Sequence, residues 1–418
     1  MTPLLFALAV LFTGCGAPAP DAPPGAVVKT GAQVLVESGF AALDGMRVGL
    51  IVNHTARVGG RHLIDLIDAA PNVEIGALFG PEHGLRGDAD AGERIADGRD
   101  ERTGAPVFSL YGETRRPAPE MLEGLDALVF DIQDIGARFY TFISTMGLAM
   151  QSAAEGGLPF VVLDRPNPLG GEQMEGFVLD SAYTSFVGQY PVPITYGLTA
   201  GELARMIKGE KMLPGLETLD LRIVGMEGWT RAMRWPATGL TWQPTSPNIP
   251  DFETALIYPG ACFFEATTAS EGRGTYEPFK QVGAPWADAA ALADTLNARK
   301  LPGVLFRPVT FTPVAIEGMA SNPKLKDVPV RGVHYVLTDA LAFRPVETGM
   351  HVLHAFYHQA PDSVKAGFLK KRWLDLLAGT DRLYEMLTAG APPEAIVAAW
   401  REDVEAFRRK RAPYLLYD

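Results

Sequence analysis

Between positions 46 and 163 the chain carries five short, almost purely apolar runs, at 48–52, 73–79, 107–110, 127–130 and 160–163, and stretches of helical character separate them near 60–69, 119–124 and 139–155. Runs this short and this continuously apolar are expected of strands covered on both faces, and strands of that kind belong to parallel sheets. Right-handed crossovers then bring every strand's carboxyl end to one edge. The expected class is therefore α/β, a Rossmann-like parallel sheet, and the residues just after each run are the first place to look for chemistry.

At 418 residues and 47% hydrophobic composition the chain can bury a large core spread over two or three domains. After the fifth run, Thr199-Ala200-Gly201-Glu202 has the form of a capping box that opens a helix over 202–208, and 219–224 reads as a further strand. The proline-rich stretch 235–259 reads as an ordered loop. Beyond Trp286 the texture shifts to a helix at 287–297, more alternating strands at 304–314 and 333–337, and helices near 350–358 and 395–410. Ile396, Val397, Trp400, Val404 and Phe407 recur at helical spacing and are expected to face a core. These patterns give a Rossmann-like domain over 36–284 and a smaller α+β domain over 285–418.

The net charge of −12 argues against a nucleic-acid partner, and the most basic cluster, Arg408-Arg409-Lys410-Arg411, reads as a solvated helix end. With two cysteines there is no disulfide framework. Residues 4–12 are apolar and lead into Phe12-Thr13-Gly14-Cys15, then a Pro/Ala/Gly tract to about Ala26. That pattern reads as a secretory signal over 1–15 whose Cys15 becomes lipidated, although no Lys or Arg precedes it, followed by a flexible tether over 16–35. The run is too short to span a bilayer. The expected location is outside the cytoplasm, facing the periplasm or cell wall, with the lipid anchor as the only membrane contact.

Polar residues crowd the ends of all five runs. Asn53 and His54 follow the first. The second ends in Leu78-Phe79-Gly80-Pro81-Glu82-His83-Gly84-Leu85-Arg86-Gly87, and Tyr111 follows the third. Asp131, Gln133, Asp134 and then Arg138 and Tyr140 follow the fourth; Asp164, Arg165 and Asn167 follow the fifth. Unpaired charges at buried strand ends are costly, so a polar pocket whose members neutralise one another and a ligand is the economical explanation. Some of the set must serve the fold: Asp134 and Arg138 are spaced to pair on a helix, and Asp164 and Arg165 flank a proline and can brace a loop. A second constellation, Glu265-Ala266-Thr267-Thr268-Ala269-Ser270-Glu271-Gly272-Arg273-Gly274-Thr275, sets an arginine between glycines beside two carboxylates. It lacks the lysine and spacing of a P-loop, and no cofactor is expected.

His351, His354 and His358 share a helix face, but packing explains them better than a metal, and none is expected. Asp88-Ala89-Asp90 lacks the remaining ligands of a calcium loop. Neither Gly-x-Ser-x-Gly nor His-Glu-x-x-His occurs. Converging carboxylates in an arginine-bearing, hydroxyl-rich cleft fit carbohydrate hydrolysis, which needs one carboxylic acid to protonate the leaving oxygen and a second group at the anomeric centre. Glu82, next to apolar strand residues that can desolvate it, is the candidate acid, with His83 the competing donor. Glu265 and Glu271 lead for the second group, with Asp131 or Asp134 behind them. A non-catalytic sugar- or muropeptide-binding lipoprotein and a metal-dependent hydrolase using His83, Asp131 and Asp164 are the rival readings.

The motifs Asn53-His54, Gly80-Pro81-Glu82-His83-Gly84, Ser109-Leu110-Tyr111-Gly112, Asp131-Ile132-Gln133-Asp134-Ile135-Gly136-Ala137-Arg138, Asp164-Arg165-Pro166-Asn167-Pro168, Ser246-Pro247-Asn248-Ile249-Pro250 and 265–275 resemble those of the exo-acting β-N-acetylmuramidase family of peptidoglycan glycosidases. The resemblance runs from about residue 30 onward. It implies a Rossmann-like catalytic domain, a smaller auxiliary domain with a cleft between them, release of terminal N-acetylmuramic acid from the non-reducing ends of peptidoglycan fragments, and a leading catalytic role for Glu82. It also brings Asn248 into the substrate-binding set. One departure is Glu265-Ala266-Thr267-Thr268-Ala269-Ser270, where Glu-Gly-Thr-Asn before the serine is expected. The lactyl carboxylate of that sugar calls for an arginine, with Arg273 and Arg138 first and Arg86 third.

Overall fold

Strand β1 (Met46–Val52) lies at the centre of a seven-stranded sheet, and the burial of both its faces sets the architecture. Val48, Leu50 and Val52 point into one apolar cluster and Ile51 into the other. The computed structural model describes residues 27–81, 85, 98–110 and 114–418. A two-residue hairpin, β2 (Arg57–Val58) and β3 (Arg61–His62), follows β1. The sheet then collects β4 (Val73–Gly80), β5 (Gly98–Arg99), β6 (Pro106–Ser109), β7 (Ala127–Asp131), β8 (Phe160–Leu163) and β9 (Leu221–Val224) in the order β5-β6-β4-β1-β7-β8-β9. All neighbours pair in parallel except β5 with β6.

Without that edge strand the order is the doubly wound one, in which the chain runs outward from β1, returns, and runs outward on the other side. The reversal falls between β1 and β7, so their carboxyl ends flank the crevice where such sheets take ligands. Helices Gly31–Glu37 and Leu63–Asp68 cover one face, and Phe142–Gly156 and Ala200–Gly209 cover the other. The last begins with the expected capping box: Thr199 Oγ1 accepts from the Glu202 backbone N–H, and the Glu202 carboxylate accepts from that of Thr199.

The smaller unit is an antiparallel sheet, β10 (Gln281–Ala284), β12 (Val330–Leu337) and β11 (Val304–Phe311), with β12 in the middle. Helices Ala289–Ala298 and Pro345–Gln359 pack with it, and one apolar cluster runs without a break from the large sheet into this unit.

Four sequence expectations need correction. The end of the expected tether is folded: Lys29 pairs with Glu227 backbone to backbone, Thr30 caps the helix Gly31–Glu37, and Ala32 and Leu35 are buried, because the prolines that keep a chain extended stop before this point. β10, expected in the first domain, pairs in the smaller sheet. Phe252–Ala261, expected as loop, is a helix capped by Asp251, with Pro259 in its last turn. There Gly260 lies against Pro345 and Gly349; a Cβ on it would sit 2.0 Å from the Pro345 carbonyl oxygen, so the two helices touch only because side chains are missing. The expected final helix is broken into Pro393–Ala398 and Arg401–Arg411, yet Ile396, Val397, Trp400, Val404 and Phe407 are all buried as their spacing requires.

Candidate active site

At the carboxyl ends of β7 and β8 the charges neutralise each other. Arg165 grips Asp131 with two bonds, Nε to Oδ1 at 2.5 Å and Nη2 to Oδ2 at 2.9 Å, and both side chains are buried. Asp164 accepts from the backbone N–H groups of Arg165 and Gly201, from Thr199 Oγ1 and from Tyr417 Oη; burial pushes its carboxyl up to about 6. Asn53 accepts from both the backbone and hydroxyl of Thr55, and Gln133 donates to the carbonyls of Asp134 and Pro166. These residues brace the crevice floor. Among the described residues, buried Asn53 Nδ2, Gln133 Oε1 and Asp134 Oδ1 have no hydrogen-bond partner there, the condition a bound water or ligand relieves. Asp134 Oδ2 takes the Tyr196 hydroxyl at 2.5 Å and the Gly136 N–H, and burial raises its carboxyl to about 6.

Arg138 corrects an expectation outright. It is fully buried, far from any role with a substrate carboxylate, and donates to the carbonyls of Phe177, Val192 and Leu377. It does not pair with Asp134 either. Burial without a carboxylate partner pulls its guanidinium down to about 9. The residue ties the loop after β7 to the auxiliary domain.

The open space lies next to this floor, in a cavity of about 550 Å3 between the two domains. Segment 244–249 links the two places: the His54 ring meets the Pro244 carbonyl at 2.5 Å, and Tyr140 Oη donates to Thr245 Oγ1 at 2.8 Å. Tyr140 and Asn248 line the cavity, the latter holding the Met319 carbonyl through Nδ2. Phe139, Phe142, Phe186, Tyr258 and Trp373 supply an aromatic wall.

Its charged side is the loop after the short helix Cys262–Ala266. Arg273 Nη2 donates to Glu265 at 2.9 Å, Arg273 Nε lies 3.7 Å from Glu271, and Lys324 Nζ sits 2.7 Å from the other oxygen of Glu271. Burial opposes the Arg273 charge, but the Glu265 and Glu271 carboxylates outweigh it and hold the guanidinium more firmly protonated than an ordinary arginine. Its plane also lies over the Phe279 ring, 5.0 Å from the centroid. Gly272 and Gly274 both have positive φ, and a Cβ on Gly274 would meet Pro323 and the Val314 carbonyl, so only glycine lets the chain present Arg273 here. With Lys370 also in the wall, three cations face two carboxylates, a local excess of positive charge in an acidic protein.

Glu265, Glu271, Arg273, Tyr140 and Asn248 thus come together, while Asn53, Gln133, Asp131, Asp164 and Arg165 form the braced floor. Glu82, His83, Arg86, Tyr111 and Cys15 lie outside the described residues. Sequence reasoning missed Lys324, Lys370, Tyr258 and Trp373, which stand in no motif; from the aromatic run Phe139-Tyr140-Thr141-Phe142 it picked out Tyr140 alone. The three helix histidines do not converge on a metal: His351 Nδ1 is 4.0 Å from Glu394, the rings of His354 and His358 are in contact, and burial pushes His351 and His354 down to about 4. Among the described residues no group of three or more His, Cys, Asp or Glu side chains is arranged to hold a metal ion.

A doubly wound sheet domain joined to a smaller domain across a cleft of carboxylates, guanidinium and aromatic rings is the build of a carbohydrate-active enzyme. Models of the N-terminal and C-terminal domains of the exo-beta-N-acetylmuramidase NamZ match residues 48–253 and 256–417. The chain belongs to this family and is a glycosidase. It is 41% identical over 391 residues to the peptidoglycan beta-N-acetylmuramidase NamZ of Bacillus subtilis (strain 168), spanning 93% of this chain and 91% of that relative. Two crystal structures of DUF1343 family proteins from Bacteroides fragilis NCTC 9343 are similar. One has a TM-score of 0.86 at 41% identity, covering 94% of this chain and 100% of that one; the other has a TM-score of 0.76 at 32% identity, covering 94% and 99%.

Proposed function

We propose that the enzyme removes terminal N-acetylmuramic acid from the non-reducing ends of peptidoglycan fragments, with the carboxylic acid of Glu82 as general acid. The observation that carries the reading is the interdomain cavity, where Glu265, Glu271, Arg273 and Lys324 form one charge network under an aromatic wall. The rings suit the apolar face of a pyranose. The surplus cation suits the lactyl carboxylate that distinguishes muramic acid from other amino sugars, and Arg273 offers it a planar fork.

In the reaction Glu82 gives its proton to the glycosidic oxygen as the bond to C1 breaks, and positive charge grows on the sugar ring. Glu265 is the more exposed of the two network carboxylates and is assigned to the anomeric centre; Glu271, held between Arg273 and Lys324, keeps both cations in place. The N-acetyl oxygen of the substrate can itself attack C1, in which case Glu265 orients it; on either route water then adds its oxygen to C1 and gives a proton back to Glu82, which releases N-acetylmuramic acid.

The test compares wild type, Glu82→Gln and Glu265→Gln on a para-nitrophenyl β-N-acetylmuramide and on a muramyl disaccharide, each with and without a chelator. Nitrophenolate leaves without much help, so loss of a general acid must hurt the disaccharide more, by about 100-fold or greater. Equal losses on both substrates remove Glu82 from that role, chelator sensitivity favours a metal hydrolase, and tight binding without turnover favours a binding protein. We infer in addition that Cys15 carries a lipid anchor and that the enzyme works outside the cytoplasm; Cys15→Ser should move the protein from the membrane fraction to the soluble one.

A further inference from the structure

A second cavity, of about 650 Å3, shares no lining residue with the cleft and is walled by four arginines, Arg231, Arg234, Arg344 and Arg408, against a single carboxylate, Glu172. Two of the four are accounted for. Arg231 is paired with Glu202 at 2.7 Å, and Arg408 lies 3.3 Å from Glu405. The other two have no ion pair among the described residues. Arg234 is only 6% exposed; one of its terminal nitrogens donates to Gln173 and the other, Nη1, has no acceptor. Arg344 reaches only the Leu341 carbonyl, at 3.4 Å. Burial and the neighbouring Arg344 charge both press the Arg234 guanidinium below its ordinary value, with Glu175 and Asp339 as partial compensation. Guanidinium does not give up its proton in proteins, so this charge cannot be relieved by titration. Neither guanidinium makes an ion pair, and Glu175 and Asp339 offset their charge only in part, so holding the two together is costly, and more so in a buried setting.

We propose that this cavity is an anion-binding site for a phosphoryl dianion, sized for a small sugar phosphate. Two guanidiniums without an ion-pair partner suit the charge of about −2 on a phosphate monoester at neutral pH, where a single carboxylate brings half of it. Several oxygens on one centre can serve forks that approach from different walls. The cavity is larger than inorganic phosphate needs, which leaves room for the group that carries the phosphoryl.

The experiment is isothermal titration of the full chain with inorganic phosphate, glucose 6-phosphate and citrate, at low and high ionic strength, on wild type, Arg234→Gln and Arg344→Gln. The expected result is saturable phosphate binding that weakens with salt and falls about tenfold or more in each variant, the worth of one charge-assisted hydrogen bond. Arg344→Gln should keep full hydrolysis of the chromogenic muramide, which shows that the fold is intact. Tighter binding of glucose 6-phosphate than of inorganic phosphate identifies an organic phosphate as the occupant; equal binding identifies free phosphate. The proposal is overturned if neither phosphate binds, if Arg344→Gln binds as wild type does, or if only citrate binds.

Discussion

Glu175 offers a quantitative check on how dry the domain junction is. Its Oε2 accepts from the backbone N–H groups of Val346 and Glu347 at the start of the helix Pro345–Gln359, each at 2.9 Å, and burial still pushes its carboxyl from 4.5 up to about 7. Between those values the native protein keeps a proton that the unfolded chain has released. The stability it contributes is therefore complete below pH 4.5 and lost as pH rises through about 7. At about 1.4 kcal/mol per pH unit the loss comes to about 3 kcal/mol. Glu175→Gln cannot ionise. Its amide oxygen can keep both backbone bonds, and any mismatch with the Gln173 amide, which donates to Glu175 Oε1 in the wild type, costs the same at every pH. Urea unfolding of both proteins should then show the variant gaining about 3 kcal/mol on wild type between about pH 4.5 and about pH 8. A difference that stays constant across that range refutes the argument and means that the junction is wet.

Replacing Arg138 by Met should cost about 3 kcal/mol of stability, from loss of three charge-assisted bonds to carbonyls, yet leave the KM of the folded enzyme unchanged; a raised KM would return this residue to the binding site. Arg273→Lys keeps the charge but loses the fork between Glu265 and Glu271, so kcat/KM should fall about tenfold or more with little change in Tm, read by steady-state kinetics beside calorimetry. Gly260→Ala forces a methyl group against the Pro345 carbonyl and should lower stability by about 1–3 kcal/mol, seen as a depressed Tm.

What could be read from the chain alone was what local pattern controls. The β1, β4, β7 and β8 strands announce themselves as buried apolar runs, and the Thr199–Glu202 capping box is complete within four residues. The helix Phe252–Ala261 was hidden because Pro259 and the prolines before it read as breakers, whereas a last-turn proline next to Gly260 is what the tight approach to Gly349 tolerates. The strand-end rule found the polar crevice but could not sort brace from pocket. Asp131 and Arg165 look identical to ligand-binding residues until two strands are placed side by side and the charges meet. Lys324, Lys370 and Trp373 reach the cleft through the long-range packing of the auxiliary domain, which no short motif encodes.

The last described residues close back on the first domain: Arg411 donates to the carbonyls of Tyr196 and Gly197, Leu416 N–H to Glu202, and Tyr417 Oη to Asp164 beside the end of β8. The sheet domain is therefore completed by residues far along the chain. Its buried carboxylates Glu202 and Asp164, already bonded locally to Arg231 and Thr199, each take one further partner more than 200 positions downstream, so a chain truncated before Arg411 is expected to be less stable and more readily cleaved by proteases. The segment from Arg411 to Tyr417 thus acts as a clasp, holding the smaller unit to the sheet domain by bonds that the sheet domain cannot make by itself.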